Sequence, residues 1–199
     1  MKEKMIDLLY TYKSAFATEK ELLAAIIGYE VEIILNVEKT YPPLLRRTAR
    51  PASQRAREAL EAHIQESMDL GVLSKVGNKE QVEVTTPVIR SWHHGKSKLV
   101  GAFRALNTYT IPYRYPIPSI HKTLTQFSQT KIITTLDSLK PFFQNLLTYN
   151  SRKLLMIIVH CGIYVYLRMP VGKKSAPSPY QRILNTIFSE ELSEGWLII

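Results

Sequence analysis

Apolar residues recur at helical spacing in four parts of the chain. The clearest pattern covers residues 53–70, and its apolar side chains lie about one helical turn apart: Ala56, Leu60, Ile64 and Met68. Ser53 suits the N-cap of this helix and Gly71 suits its C-terminal stop. Further helices are predicted over residues 1–27, 120–127 and 178–192, the first ended by Gly28 and the last with Pro179 at its first position.

Alternating and β-branched stretches between these helices predict strands. Residues 30–37 place Val31, Ile33 and Leu35 on one face, with polar residues interleaved. The pattern as a whole is typical of an α+β fold with an antiparallel sheet. Further strands are predicted at residues 82–89, in a basic hairpin over 92–98 around Gly95, at 131–137, in a hairpin over 154–169 that turns near Cys161, and at 195–199.

Charge is distributed very unevenly along the chain. Residues 84–189 contain 14 lysines and arginines and one carboxylate, Asp137, whereas the remainder contains 12 basic and 16 acidic residues. A segment with net charge +13 indicates a polyanionic partner such as RNA or DNA.

Asp137 stands at the end of a predicted strand within this basic segment. Acids at strand ends can hold Mg²⁺ in phosphoryl-transfer sites, because the ion prefers carboxylate and phosphate oxygens. The alternative is a structural role as an N-cap or as an ion-pair partner of a lysine. The pattern alone leaves both interpretations open.

The predicted basic hairpin also has two interpretations. Lys96 and Lys98, with Arg90 and Arg104 nearby, could clamp phosphates, and Trp92 could stack on a base. Otherwise the hairpin is a solvated basic loop. The neighbouring pair His93 and His94 is not interpreted as a metal site, since adjacent strand residues point to opposite faces.

Other features restrict the class of protein. The single cysteine, Cys161, excludes an internal disulfide and a cysteine-based zinc cluster, and it is interpreted as a small buried residue in a strand. The charged pairs Arg57–Glu61 and His63–Glu66 are assigned to a solvated helix face without a function. No secretory signal or membrane-length apolar run is present, so we expect a soluble intracellular protein, cytoplasmic or nuclear, without a membrane partner.

An ordered series of short motifs resembles the reverse transcriptase of gypsy-type LTR retrotransposons. In that family the blocks follow the pattern DFRxLN, YPIP, TxDxxxGFxQ, MPFGxxNAPxxFQ and then YxDD. The resemblance covers about residues 40–199. The matching blocks here are Arg104-Ala105-Leu106-Asn107, Tyr115-Pro116-Ile117-Pro118, Thr135-Leu136-Asp137, Met169-Pro170-Val171-Gly172 and Ala176-Pro177 with Gln181.

The resemblance implies a partial right-hand polymerase fold of fingers and an incomplete palm. Residues 49–199 would form this domain, and residues 1–48 would be a connector-like extension. By the resemblance Asp137 is a catalytic, Mg²⁺-binding aspartate. The resemblance further implies that Lys96, Lys98, Phe142, Gly172 and Gln181 bind the nucleotide.

The sequence also departs from the family pattern. Ala102 replaces an aspartate, Pro141 a glycine and Val171 a phenylalanine, while Lys173 and Ser175 replace an apolar residue and an asparagine. The YxDD motif is absent from residues 1–199. Because two-metal catalysis needs carboxylates on both ions, we expect this RNA-directed DNA polymerase fragment to be inactive alone.

The expected partners are an RNA or DNA template–primer, dNTPs, and downstream polymerase and RNase H segments of the same element. The alternatives are a non-catalytic basic nucleic-acid-binding module and a decayed remnant that folds poorly.

Overall fold

The structure is a computed structural model that describes residues 2–16, 23–37, 40–77, 80–93, 96–126, 131–174 and 176–195. The helices in these ranges are α1 Lys2–Thr11, α2 Gln54–Asp69, α3 Arg104–Tyr109, α4 Ile120–Gln126, α5 Tyr149–Leu154, α6 Pro177–Ile187 and α7 Ser189–Ser193. The strands are β1 Glu30–Val31, β2 Leu73–Lys75, β3 Thr86–His93, β4 Lys96–Gly101, β5 Leu146–Leu147, β6 Met156–Val159 and β7 Gly162–Tyr166.

Five strands form the main sheet in the order β2-β7-β6-β3-β4. Neighbouring strands are antiparallel, except that β3 and β6 pair in parallel at Thr86 and Pro87. The remainder of β3 pairs with β4 and carries the sheet into a two-stranded hairpin. The predicted α+β fold with a largely antiparallel sheet is therefore confirmed.

Helix α2 contributes its apolar stripe to the core, as its spacing predicted. Leu60 and Ile64 are buried, and the core continues through Val88, Leu155 and Ile157 of the sheet region. Ser53 occupies the N-cap without a side-chain capping hydrogen bond. Gly71, with φ of 63°, follows the helix in the left-handed region that glycine adopts most easily.

The N-terminal segment is only partly helical. Helix α1 covers Lys2–Thr11, whereas the described residues from 23 to 27 are not helical, so the prediction of one helix over residues 1–27 is wrong there. Their backbone groups bond to distant parts of the chain instead: Leu23 and Ala24 carbonyls accept from Arg168, and the Ile26 amide donates to Gln144. Backbone groups used in this way are unavailable for an i→i+4 ladder.

The segment at residues 30–37 alternates between buried and exposed positions, as predicted. Val31 and Ile33 belong to the main core, while Glu32 and Ile34 are exposed. Regular strand pairing is confined to β1, which lies parallel to β5. The division of the chain at residue 48 stays a prediction.

The strand predicted at residues 131–137 is wrong. These residues have no regular secondary structure and all are exposed, including Ile133 and Leu136. The physical reason is that β-branched residues form a strand only where they find a pairing partner. In the described part of the chain, residues 131–137 pair with no strand.

The C-terminal half otherwise follows the predicted order. The hairpin of β6 and β7 turns at His160 and Cys161, so Cys161 lies in the turn and is half-buried rather than inside a strand. Helix α6 begins at Pro177 instead of Ser178, and the helix breaks at Phe188 before α7. The strand predicted at the C-terminus lies outside the described residues from residue 196 onward.

No helix within the described parts of the chain has the length and apolarity needed to cross a membrane.

Candidate nucleic-acid and nucleotide site

The β3–β4 hairpin carries four of the predicted site residues, at fixed positions in its register. Arg90 pairs with Leu99, and Trp92 pairs with Ser97. Lys98 pairs with Ser91 and Lys96 with His93. The two lysines therefore lie on β4, and Arg90 and Trp92 lie on β3.

Val100 of β4 lies next to the Gly172 turn. A Cβ added to Gly172 would lie 3.5 Å from Cγ1 of Val100. Gly172 has φ of 85°, so the turn at this position favours glycine. The strand that carries Lys96 and Lys98 therefore contacts the Gly172 turn through Val100.

Asn107 holds this turn against α3. Its amide Nδ2 donates to the Gly172 carbonyl at 3.0 Å. Its Oδ1 accepts from Lys173 Nζ at 3.1 Å and from the Lys174 backbone N–H at 2.8 Å. The RALN and MPVG motifs are therefore joined by one side chain that satisfies three hydrogen bonds.

Lys173 is buried in this contact, with 4% of its surface exposed. Its Nζ donates to Asn107 and to the Thr110 hydroxyl. Burial, together with the smaller effect of the nearby Lys174 charge, lowers the pKa of Lys173 to about 7. A neutral amine has two N–H groups, which match the two acceptors beside it.

A cavity of about 570 Å³ lies beside this contact and has basic residues on its wall. It is lined by Gly172 and Asn107, together with Arg50 and Arg104. Both arginines are exposed. Two guanidinium groups that line one cavity with backbone and amide donors suit a phosphate-bearing ligand.

Helix α6 connects three of the motif segments. The Tyr180 hydroxyl donates to Ser138 Oγ at 2.8 Å, and its ring meets the Phe142 ring edge-on with centroids 6.5 Å apart. On the same helix, Arg182 donates to the Tyr113 hydroxyl and Asn185 donates to the Tyr115 hydroxyl. The helix thus anchors the Tyr115-Pro116 loop and the segment that follows Asp137.

Gln181 and Phe142 occupy defined positions on these elements. Gln181 is half-buried on α6 and its Nε2 donates to Asn185 Oδ1 at 3.0 Å. Phe142 is half-buried in the 3-10 turn Pro141–Gln144. Lys140 precedes this turn with φ of 45°, a left-handed conformation that costs a non-glycine residue about 1–2 kcal/mol. This conformation lies next to the proline that replaces the family's glycine.

Asp137 is exposed and lies in the irregular segment between α4 and the Pro141–Gln144 turn. Among the described residues it belongs to no group of three or more His, Cys, Asp or Glu side chains. One exposed carboxylate does not fit a two-metal site, which requires several carboxylate ligands held at fixed distances. The predicted role of Asp137 as a Mg²⁺ ligand stays a prediction.

Sequence reasoning assigned no role to three residues that build this site. Asn107 was noted only as part of a motif, Lys173 only as a departure from an apolar position, and Arg50 not at all. The available signal for Lys173 was a lysine at a position where the family pattern has an apolar residue. Arg50 gave no signal, because its position beside the cavity depends on the folded course of residues 46–53.

The architecture defines the class of protein. The crystal structure of prototype foamy virus protease–reverse transcriptase superimposes on 95% of this chain with a TM-score of 0.76 and 19% sequence identity, over 24% of the foamy virus chain. The foamy viral enzyme solved in complex with an RNA/DNA hybrid matches 94% of the chain with a TM-score of 0.71 and 15% identity, again over 24% of that chain. The fold is therefore that of part of a reverse transcriptase.

The sequence comparisons identify the more specific group. The Pol polyprotein of the Drosophila melanogaster transposon gypsy is 37% identical over 97 residues, or 49% of this chain, and that of transposon 412 is 27% identical over 191 residues, or 94%. The resemblance to reverse transcriptases of gypsy-type LTR retrotransposons is thereby confirmed. The chain spans 9% and 15% of the lengths of these two relatives. No protein-family model matches the chain.

Proposed function

We propose that this chain is the fingers and part of the palm of a retrotransposon reverse transcriptase. In this proposal it binds a template–primer and a nucleotide, and residues 1–199 do not add nucleotides on their own. The observation that supports the proposal best is the contact between the Gly172 turn and Val100, on the strand that carries Lys96 and Lys98, next to a cavity lined by Arg50 and Arg104.

Charge supports nucleic acid as the partner. The segment that contributes the hairpin, the Asn107 contact and α6 carries 14 basic residues against one acid. Neutralising phosphates with lysine and arginine releases counterions and supplies most of the affinity of such proteins for nucleic acid. The foamy viral relative was solved with an RNA/DNA hybrid, which supports the same class of ligand here.

The proposal that residues 1–199 do not add nucleotides alone is supported by the small number of aspartates in this chain. Residues 1–199 contain three aspartates, Asp7, Asp69 and Asp137, and no YxDD sequence. We propose that the remaining carboxylates come from a further segment of the same polyprotein, since the relatives are several times longer than this chain. Polymerase and RNase H segments would be its natural partners.

A second function, a nucleic-acid-binding module without catalysis, is favoured by one observation. Asp137 is exposed and irregular, rather than held at the end of a strand. Both functions predict binding of a template–primer. Only the polymerase fragment is expected to bind a nucleotide in that complex as well.

Primer extension tests the proposal directly. The 199-residue chain is incubated with an RNA template, a DNA primer, dNTPs and Mg²⁺, and we expect no product above the protein-free control. Extension that Asp137→Ala abolishes would contradict the proposed lack of activity. In the same reaction, we expect the next correct dNTP to slow release of the primed template. No such effect would favour the non-catalytic module.

A further inference from the structure

We infer that Glu61, His160 and Cys161 form a Zn²⁺-binding site on the surface where α2 meets the β6–β7 turn. Each residue offers one ligand atom, and the carboxylate oxygen, imidazole nitrogen and thiol sulfur all lie within 4.8 Å of one another. Within the described ranges no other group of three or more such side chains occurs. The site does not depend on the proposed polymerase function.

Two packed elements, α2 and the β6–β7 hairpin, hold the three residues in position. Glu61 follows the buried Leu60 on α2, so the packing of that helix sets its position. His160 and Cys161 are the two turn residues between β6 and β7, and the hairpin is closed by the Val159–Gly162 pair. His160 Nε2 lies 2.8 Å from Glu61 Oε1. These contacts bring together residues that are about 100 positions apart in sequence.

The ligand chemistry selects zinc over magnesium. Zn²⁺ accepts nitrogen, sulfur and oxygen ligands at about 2.0–2.3 Å in a tetrahedral arrangement. Mg²⁺ requires near-octahedral oxygen coordination and does not favour a thiolate. A single thiolate in a mixed set differs from the cysteine cluster that the sequence excludes.

Tyr164 lies beside Cys161, the proposed thiolate ligand. Its hydroxyl lies 3.6 Å from Cys161 Sγ, and its side chain is buried. The Tyr164 hydroxyl can therefore donate a hydrogen bond to the sulfur. Such outer hydrogen bonds orient a metal ligand and tune its basicity.

Solvent can reach the site. Glu61 and His160 are exposed, Cys161 is half-buried, and His160 also lines a cavity of about 470 Å³ beside Arg50 and Ser53. Three protein ligands leave the fourth zinc position to water, unlike a closed four-ligand structural site. On binding, the Cys161 thiol releases its proton to solvent and the sulfur bonds to the ion.

Cobalt substitution tests the site spectroscopically. Titration with Co²⁺ is expected to produce a near-ultraviolet thiolate-to-cobalt absorption that saturates at one equivalent and disappears when Zn²⁺ is added. Cys161→Ser should abolish the band, and Glu61→Gln or His160→Asn should weaken binding at least tenfold. The matched control is His63→Asn, because the His63–Glu66 pair on the same helix has no thiol beside it. An unchanged band in Cys161→Ser would overturn the inference.

Alkylation provides a second measurement that needs no variant. Cys161 is the one cysteine of the chain, so the rate of reaction with iodoacetamide reports this site alone. We expect a stoichiometric amount of Zn²⁺ to slow the reaction at least tenfold, and Mg²⁺ to leave it unchanged. Equal rates with and without Zn²⁺ would contradict the site even if a variant failed to fold. Neither measurement involves nucleic acid, so its outcome is separate from that of primer extension.

Discussion

Asn107 and Lys173 form a small polar contact between α3 and the Gly172 turn. The amide of Asn107 donates to the Gly172 carbonyl, and its oxygen accepts from Lys173 and Lys174. Lys173 is buried, and a buried polar group left without its partners would cost about 1–3 kcal/mol, so this contact fixes the position of the turn. The fixed turn places Gly172 against Val100 of the hairpin that carries Lys96 and Lys98.

The stability of the protein should depend on pH through Lys173. Its pKa is lowered to about 7 in the folded chain from an ordinary value of 10.5. Between these values the unfolded chain binds a proton that the folded chain does not, so the free energy of unfolding rises with pH. The slope contributed by one such lysine is up to about 1.4 kcal/mol per pH unit.

Lys173→Met should remove most of this slope. We expect the variant to be more stable than the native chain near pH 7, and the difference to shrink towards pH 10. Urea denaturation at several pH values measures both effects. Lys153→Met is the control, because Lys153 is exposed and lies over the Tyr149 ring. Parallel pH curves for the native chain and Lys173→Met would show that Lys173 is not the group responsible.

At the scale of elements, the junction between β4 and α3 is tightly packed around Gly101. The other glycines with a described environment have more space. A Cβ added at Gly101 would lie 2.4 Å from the ring of Phe103. That ring is almost fully buried and meets Tyr166 edge-on at a centroid distance of 6.0 Å. It therefore has no free space into which it can move.

Gly101→Ala should destabilise the protein by about 1–3 kcal/mol, the usual cost of overpacking a well-filled core. Gly77→Ala is the matched control, since nothing lies within 4 Å of its added Cβ and a surface change of this kind stays within about 0.5 kcal/mol. Thermal or urea unfolding of both variants gives the comparison. Equal stability of the two would mean that Phe103 is packed less tightly than the structure indicates.

The elements that the sequence predicted correctly are those whose signals are local. Helix α2 has an apolar stripe and a glycine stop, and the β6–β7 hairpin has continuous apolar strands around a short turn. Residues 131–137 carry an equally strong β-branched signal, but strand formation also needs a pairing partner, and these exposed residues have none in the described part of the chain. A single sequence contains no direct information about which segments will pair.

Much of the candidate site depends on contacts of the same non-local kind. The motif order predicts that Gly172, Phe142 and Lys98 belong to one site, and this stays a prediction. It could not predict that Asn107 would hold the turn, or which residues of β3 pair with the two lysines of β4. Both facts depend on pairings between residues that are distant in sequence or on a register set by the hairpin turn.

At the scale of the whole molecule, the fold brings elements of the basic segment together at the candidate site. Residues 84–189 supply the hairpin, the turn and α6, so nearly all of the positive charge excess lies on the elements that build the candidate site. Acidic residues are concentrated in α2, α7 and the N-terminal segment. In the proposed function, this separation of charge would orient the protein on its nucleic acid.

The most direct test of this account is the salt dependence of binding to an RNA/DNA hybrid, measured by fluorescence anisotropy. We expect the logarithm of the affinity to fall linearly with the logarithm of salt concentration. Lys96→Gln combined with Lys98→Gln should weaken binding and make the slope shallower by about 2. The control, Lys4→Gln with Lys13→Gln outside the basic segment, should leave both unchanged. Binding that is insensitive to salt, or a slope that the fingertip pair does not change, would contradict the account.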